Sequence, residues 1–321
     1  MLLRSALGLF SPAGQRARLS ILIFHRILSA PDPLFPGELD VARFEARLRW
    51  IAGWFDVLPF ERALTQLRDG SLPPRAAVIT IDDGYAESYT RALPLLQRYG
   101  LNATFFVSSG FLAGGHMWND CLIEAVRRTQ AERLETGLVE APAMPLRTLE
   151  EKRAFLGRLI PAVKYLSLSA RREAIARIVE ASGVELSGAP MLDAAQLRAL
   201  RAAGMHIGSH THNHPLLTAC TDAEAEAEIA EGKSRLESAI GEPVRFFAYP
   251  NGKPGTDYAR RHIDMVRRLG FEAAVTTQWG SNTRQTDPYQ LARFTPWDRS
   301  RWRFGLRLMG NLMRAPVRGP L

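Results

Sequence analysis

Cysteine is nearly absent: Cys121 and Cys220 are the only two in 321 residues. A disulfide framework and a cysteine-ligated zinc site both need more thiols at closer spacing, so both are excluded. The pair is compatible with a reducing compartment. No apolar run reaches the roughly 18 residues that a membrane-crossing helix requires. The opening, MLLRSALGLFSPAGQRARLS, offers an apolar stretch of only about six residues between arginines, and its cleavage-site pattern is poor. The sequence therefore reads as unexported. No repeat at a 20–50-residue period and no low-complexity tract is present. Acidic residues are also in deficit, 33 against 41 Lys and Arg, for a net charge of +8. Such a balance fits a solvated basic surface, an anionic membrane or an acidic polymer. It does not single out nucleic acid, because no recognition motif accompanies the charge.

What the chain does have is ordinary globular composition, 46% apolar and 23% charged, which excludes a disordered chain or a coiled coil. At this length either two domains or one α/β barrel fits. Apolar, β-rich runs alternate with helical spacing. Strands are expected at 20–27, 55–58, 76–81, 103–107, 205–208, 244–249, 273–276 and 291–294. Helices are expected at 41–55, 60–68, 87–99, 193–203, 222–240 and 256–269. The run Ala76-Ala77-Val78-Ile79-Thr80-Ile81 is apolar almost throughout, as in a strand covered on both faces of a parallel sheet. Each parallel crossover needs a helix, so the alternation implies a parallel sheet or barrel. Thr221-Asp222-Ala223-Glu224 reads as a capping box. Residues 115–190 break the rhythm and read as a helical insertion.

Two local patterns carry chemistry. Asp82 and Asp83 follow the buried run and precede Gly84. At a strand end, successive side chains diverge, so one carboxylate can hold a metal while the other faces a substrate. Alone, Asp-Gly fits an Asx turn or a helix cap equally well. Further on, His210, His212 and His214 fall within five positions, between Gly208 and Pro215. Alone these also fit a polar loop that caps the next helix. Together, a carboxylate and two imidazoles make the ligand set of an open catalytic zinc-type site, with a second carboxylate left as a base.

These residues resemble the polysaccharide deacetylases with a NodB homology domain, carbohydrate esterase family 4, in their exopolysaccharide-type subgroup. Thr80-Ile81-Asp82-Asp83-Gly84 matches the T-[FI]-D-D-G motif and His210-Thr211-His212-Asn213-His214 matches H-[ST]-x-x-H. Asn102-Ala103-Thr104-Phe105-Phe106-Val107 and Ile207-Gly208-Ser209 are familiar flanks. The resemblance implies an α/β fold, a distorted (β/α)7-type barrel with the helical insertion between the two motifs. It also implies removal of acetyl groups from N-acetylated sugars of a polysaccharide or glycolipid. Asp83, His210 and His214 would bind one divalent metal, zinc first, with nickel or cobalt also suited. Asp82 would be the general base toward a metal-bound water. His212 occupies a variable position and is not counted as a ligand. The third motif, R-P-P-Y-G, appears as Ala248-Tyr249-Pro250-Asn251-Gly252, with Ala248 where an arginine restrains the catalytic aspartate; Arg245 is expected on the other face of its strand. The fourth is weakly echoed by Gln278-Trp279-Gly280. The fifth, L-x-H, reads Leu291-Ala292-Arg293, with arginine in place of the general-acid histidine. His25 on the first strand is the replacement acid that the subgroup suggests. His206 and His262 read as structural. An O-acetyl esterase on the same metal, or a catalytically weakened glycan-binding module, are the rival readings.

The resemblance divides the chain into a basic N-terminal segment (1–19), a deacetylase domain (20–296) and a basic amphipathic tail (297–321). The tail interleaves Arg299, Arg301, Arg303 and Arg307 with Trp302, Phe304, Leu306, Leu308, Met309, Leu312 and Met313. A basic helix with aromatics can lie in a membrane interface. Packing of both ends on the barrel is the alternative. The expected location is cytoplasmic, peripheral on the inner membrane face.

Overall fold

The computed structural model describes residues 2–138 and 144–314. Its centre is a parallel sheet of seven strands: β1 (Ser20–Phe24), β2 (Asp56–Val57), β3 (Ala76–Ile81), β4 (Ala103–Val107), β5 (His206–Ser209), β6 (Phe246–Ala248) and β7 (Ala273–Val275). The order is β1-β3-β4-β5-β6-β7, with β2 beside the start of β3. Leu291 bridges to Val275 and Phe294 to Leu22, both in parallel sense. Residues 291–294 thus join the two edges, and the sheet curls into a distorted barrel.

Period-2 alternation sorts the strand side chains. Ala76 and Val78 of β3 face inward with Ile21, Phe106, Phe246, Ala248 and Val275. Ala77, Ile79 and Ile81 face outward, under the helices. Both faces are covered, which is why the run is apolar at nearly every position. Helix α3 (Phe60–Asp69) turns Phe60, Ala63, Leu64 and Leu67 into the inward-facing cluster, with the Phe60 ring 4.6 Å from Phe246. It closes the end where the strands begin. Chemistry is left to the other end, at the strand C-termini.

The outer helices start and stop where local chemistry dictates. α2 (Val41–Trp54) is capped by Asp40, whose carboxylate accepts from the Arg43 N–H. Capping boxes open α6 (Leu149–Lys164) at Thr148/Glu151, α8 (Ala194–Ala202) at Asp193/Gln196 and α9 (Asp222–Ile240) at Thr221/Glu224. Two expected helices differ. Residues 87–99 divide into a π-helical turn over Ser88–Ala92 and α4 (Leu93–Arg98), because Pro94 has no N–H to continue an α ladder. The helix expected from 256 is α10 (Arg260–Arg268), because Pro254 and Tyr258 pair with each other and His262 Nδ1 accepts from the Ala259 N–H. That bond gives buried His262 a structural duty.

Between β4 and β5 run α5 (Trp118–Arg128), α6 and α7 (Leu168–Ser182), around an apolar cluster of their own that includes Leu122, Val126, Phe155, Leu159 and Ile178. Part of the expected 115–190 insertion, residues 139–143, lies outside the described residues. At the chain ends, α1 (Leu2–Phe10) packs against α11 (Arg301–Leu312). Leu3, Leu7, Phe304, Leu308 and Leu312 enter the same core as the barrel helices. Arg47, buried in α2, ties this end down by donating to the carbonyls of Pro296 and Asp298 at 2.9 and 2.8 Å. The last seven residues of the expected tail, 315–321, are outside the described residues.

Candidate active site

Every candidate side chain leaves the C-terminal end of a strand. Asp82 and Asp83 follow β3, His210 and His214 follow β5, and His25 is the first residue beyond β1. All five line one cavity of about 250 Å³. His210 Nε2 and His214 Nε2 are 3.2 Å apart, and each is 3.5 Å from Asp83 Oδ1. Three ligand atoms around a tetrahedral ion at about 2.1 Å would be separated by roughly 3.4 Å. The Asp83, His210 and His214 atoms therefore converge as a triangle that could hold a metal ion. The tautomer fits as well. His210 Nδ1–H donates to the Ala248 carbonyl at 2.7 Å, which leaves its Nε2 lone pair facing the triangle. His212 points elsewhere: its Nδ1 meets Ser109 Oγ at 2.9 Å and its Nε2 lies 3.7 Å from Glu231.

Asp82 is buried behind the triangle and held from across the barrel. Arg293, on the strand-like segment that bridges the sheet edges, lies 2.8 Å from Asp82 Oδ1 through Nη1 and 2.7 Å from Oδ2 through Nη2. Its Nε donates to the Thr276 carbonyl at 2.7 Å, and Nη1 also reaches Thr80 Oγ1 at 3.2 Å. Arg293 is therefore more than a lost histidine. It occupies the aspartate-restraining role whose usual arginine is replaced by Ala248. Arg245, three positions before Ala248, is exposed and pairs with Glu61 and Glu272, away from the cavity.

The histidine loop is set from two sides. Glu228 on α9, itself buried, accepts from the backbone N–H groups of His212 and Asn213 at 3.1 and 2.7 Å and from Asn213 Nδ2 at 2.6 Å. Buried Arg171 on α7 donates to the carbonyls of Asn213 and His214 at 3.2 and 3.4 Å. Gly232 lets α9 approach: a Cβ there would stand 2.7 Å from the Thr211 backbone carbon. Five non-glycine residues among those described have positive φ, and four of them (Asp83, Thr211, His214 and Asn251) belong to this site. Such backbone costs about 1–3 kcal/mol per residue and persists where surrounding bonds over-determine it. Sequence reasoning missed Arg171, Glu228 and Gly232, as well as the cavity walls Trp118, Asn119, Lys164, Asn251 and Thr277. None sits within a motif-length window of the ligands, except Asn251 inside the altered third motif.

Burial, with the neighbouring His210 imidazole, pushes His214 down to about 3. It stays neutral near pH 7, as a metal ligand must. For Asp83, burial acts upward, but the imidazoles of His210, His25 and His214 around it outweigh that and hold the carboxyl below its usual range.

Two outcomes follow from this geometry. Gly232→Ala should push the Thr211 backbone and weaken zinc binding about 10- to 100-fold in calorimetric titration. Gly157→Ala on α6, where a Cβ meets nothing within 4 Å, should leave binding unchanged. The metal-free chain should also lose stability in acid. Unfolded histidine titrates near 6.5, so from there down to about 3 the unfolded state takes up a proton that folded His214 refuses. Asp83 adds to the loss as pH falls below about 4. His214 should account for up to about 2 kcal/mol of the difference in urea unfolding between pH 7 and pH 5. His214→Ala should shrink the difference by that amount, leaving the share of buried His262, which burial pushes down to about 4.

With the geometry in place, comparison with known proteins is specific. The polysaccharide deacetylase family profile matches residues 69–142 and 148–274. YxkH of Bacillus subtilis, named for the same family, is 22% identical over 279 residues, covering 86% of this chain and 71% of that one. The fold is similar to that of the Streptococcus pyogenes deacetylase PplD, solved with acetate (18% identity, TM-score 0.61, 93% of this chain and 99% of that one). It is also similar to IcaB from Ammonifex degensii (18% identity, TM-score 0.58, 95% and 99%). The profile spans both aspartates and both histidines of the triangle and more than half of the chain, which belongs to the polysaccharide deacetylase family of hydrolases.

Proposed function

We propose that the chain removes acetyl groups from N-acetylated sugars of a polysaccharide or glycolipid, using one divalent ion, zinc first, held by Asp83, His210 and His214. One observation carries this reading. A metal-binding triangle and a separately anchored carboxylate, Asp82, share one cavity with His25. Members of the family generally depend on a metal. A divalent ion at the triangle supplies polarisation of the acetamide carbonyl and a lowered pKa for an adjacent water. Arg293 donates to Asp82 Oδ1 and stands 2.7 Å from Oδ2 as an ion pair, so the carboxylate takes the attacking water's proton from one direction. As the carbon–nitrogen bond breaks, His25 gives a proton to the sugar nitrogen, and acetate leaves.

An amine is a poor leaving group unless protonated, and His25 in the cavity favours amide over ester substrates. The weakened-module reading rested on Ala248 and Arg293, and the Arg293–Asp82 pair removes its main support. The motif pattern with His25 at the end of the first strand is what supports the exopolysaccharide-type subgroup. Purified protein should release acetate from chitin oligomers when zinc, cobalt or nickel is added, and lose activity to a chelator. Asp82→Asn should keep stoichiometric metal while kcat falls about 10²–10⁴-fold. Full activity in that variant would place the base elsewhere.

We further propose that the enzyme works at the cytoplasmic membrane face. The outer faces of α1 and α11 support this. Leu9, Trp302, Leu306 and Met313 are exposed by 81, 62, 58 and 61%, among exposed Arg4, Arg301 and Arg303. Each basic residue near anionic lipid contributes about 1 kcal/mol. Deleting α11 would strip Phe304, Leu308 and Leu312 from the core, so point changes are the better probe. Trp302→Ser with Leu306→Ser should abolish sedimentation with phosphatidylglycerol vesicles at low salt and spare activity on a soluble oligomer. No vesicle binding by the unaltered protein would make the face plain surface.

A further inference from the structure

The helical unit between β4 and β5 holds a second cavity, about 360 Å³, that the catalytic chemistry does not use. Its walls are Phe111, Trp118, Leu168, Ile175, Val179 and Leu186, all half-buried. Polar groups are few beside it: His116 and Cys121 on one wall, Asn213, whose amide bonds Glu228, and two arginines. The Arg171 guanidinium bonds the carbonyls of Asn213 and His214 and lies 5.3 Å over the Trp118 ring. Arg172 is exposed at the rim.

A sugar ring carries hydroxyls around its edge. Against isoleucine, leucine and valine these would lose their hydrogen bonds to water without replacement. A hydrocarbon chain has nothing to leave unpaired, and such walls favour it. The trough is also adjacent to the chemistry. Trp118 lines both cavities, and Asn213 at the trough floor precedes the ligand His214. A molecule with its acetamido group at Asp82 would carry the rest of its length past Trp118.

We infer that this trough takes the aliphatic chain of a lipid-linked sugar, so that the substrate is a glycolipid whose N-acetylated sugar enters the catalytic cavity. The inference rests on the deacetylase reading above, and its test separates the two. Zinc-loaded full-length protein is assayed on methyl, octyl and dodecyl N-acetyl-β-glucosaminides below micelle formation, and on a chitin oligomer. Dodecyl maltoside, which has no acetamide, is titrated calorimetrically as a binding probe. KM should fall with chain length, by at most about fourfold per methylene, and dodecyl should exceed methyl at least 10-fold in kcat/KM. Ala176→Phe fills the trough from an exposed position on α7. It should erase the chain-length dependence, weaken dodecyl maltoside at least 10-fold and leave methyl glycoside turnover unchanged. Equal kcat/KM across chain lengths with no dodecyl maltoside binding overturns the inference. A preference for the chitin oligomer that Ala176→Phe abolishes also overturns it, making the trough a sugar subsite. Dodecyl maltoside binding that Ala176→Phe removes, with no acetate from any glycoside, supports the trough and counts against the deacetylase reading.

Discussion

The buried pair between Asp82 and Arg293 is the interaction on which the site depends. A carboxylate removed from water is costly unless a cation and further donors meet it, and a guanidinium matches it with two parallel bonds. Here the cation comes from the segment that bridges the sheet edges, and the carboxylate comes from β3. The pair therefore spans the barrel interior, and Thr80 and the Thr276 carbonyl take other guanidinium N–H groups. Closure of the sheet and placement of Asp82 are one event. Removing either partner would leave the other buried and unpaired, which in such settings costs about 3–5 kcal/mol.

The metal triangle is organised differently. Its two histidines are close in sequence, and Asp83 and His214 sit on strained backbone, so precision must come from what grips the loops. α9 and α7 supply that grip, with an anion on one side and a cation on the other. Glu228 collects N–H groups and Arg171 collects carbonyls of the same short segment. α7 belongs to the helical unit between β4 and β5, so that unit contributes to the fixed geometry of the ligands as well as to the cavity walls.

Much of this was legible in the sequence because it is local. Strands β3 and β4 were readable from continuous apolar runs, and the α9 capping box from four residues. The two motifs held the aspartates and histidines that converge. What stayed illegible is long-range. Arg293 is 211 positions from Asp82, and motif comparison registered it as a missing histidine. Glu228 looks like one more solvated charge on an acidic helix until α9 is laid against the loop. Gly232 carries no signal until the Thr211 backbone is seen beside it. At the C-terminus, the alternation of arginine with apolar residues was plain, but which residues turned inward depended on α1 and α2. Phe304 and Leu308 bury while Trp302 and Leu306 do not.

The small side chain of Ala248 has a consequence for lineage. It points into the same packed interior as Phe106 and Val275, and Arg293 approaches from another strand, its guanidinium 5.8 Å over the Phe106 ring. Arg293 already neutralises Asp82, so an arginine at position 248 as well would bring a second buried cation to a carboxylate that is already paired. A chain cannot pass between the two arrangements by single steps without an intermediate that has either two buried guanidinium groups or none. The two arrangements should therefore mark separate branches, and a chain without the usual arginine should not be classed as inactive before the opposite strand is inspected.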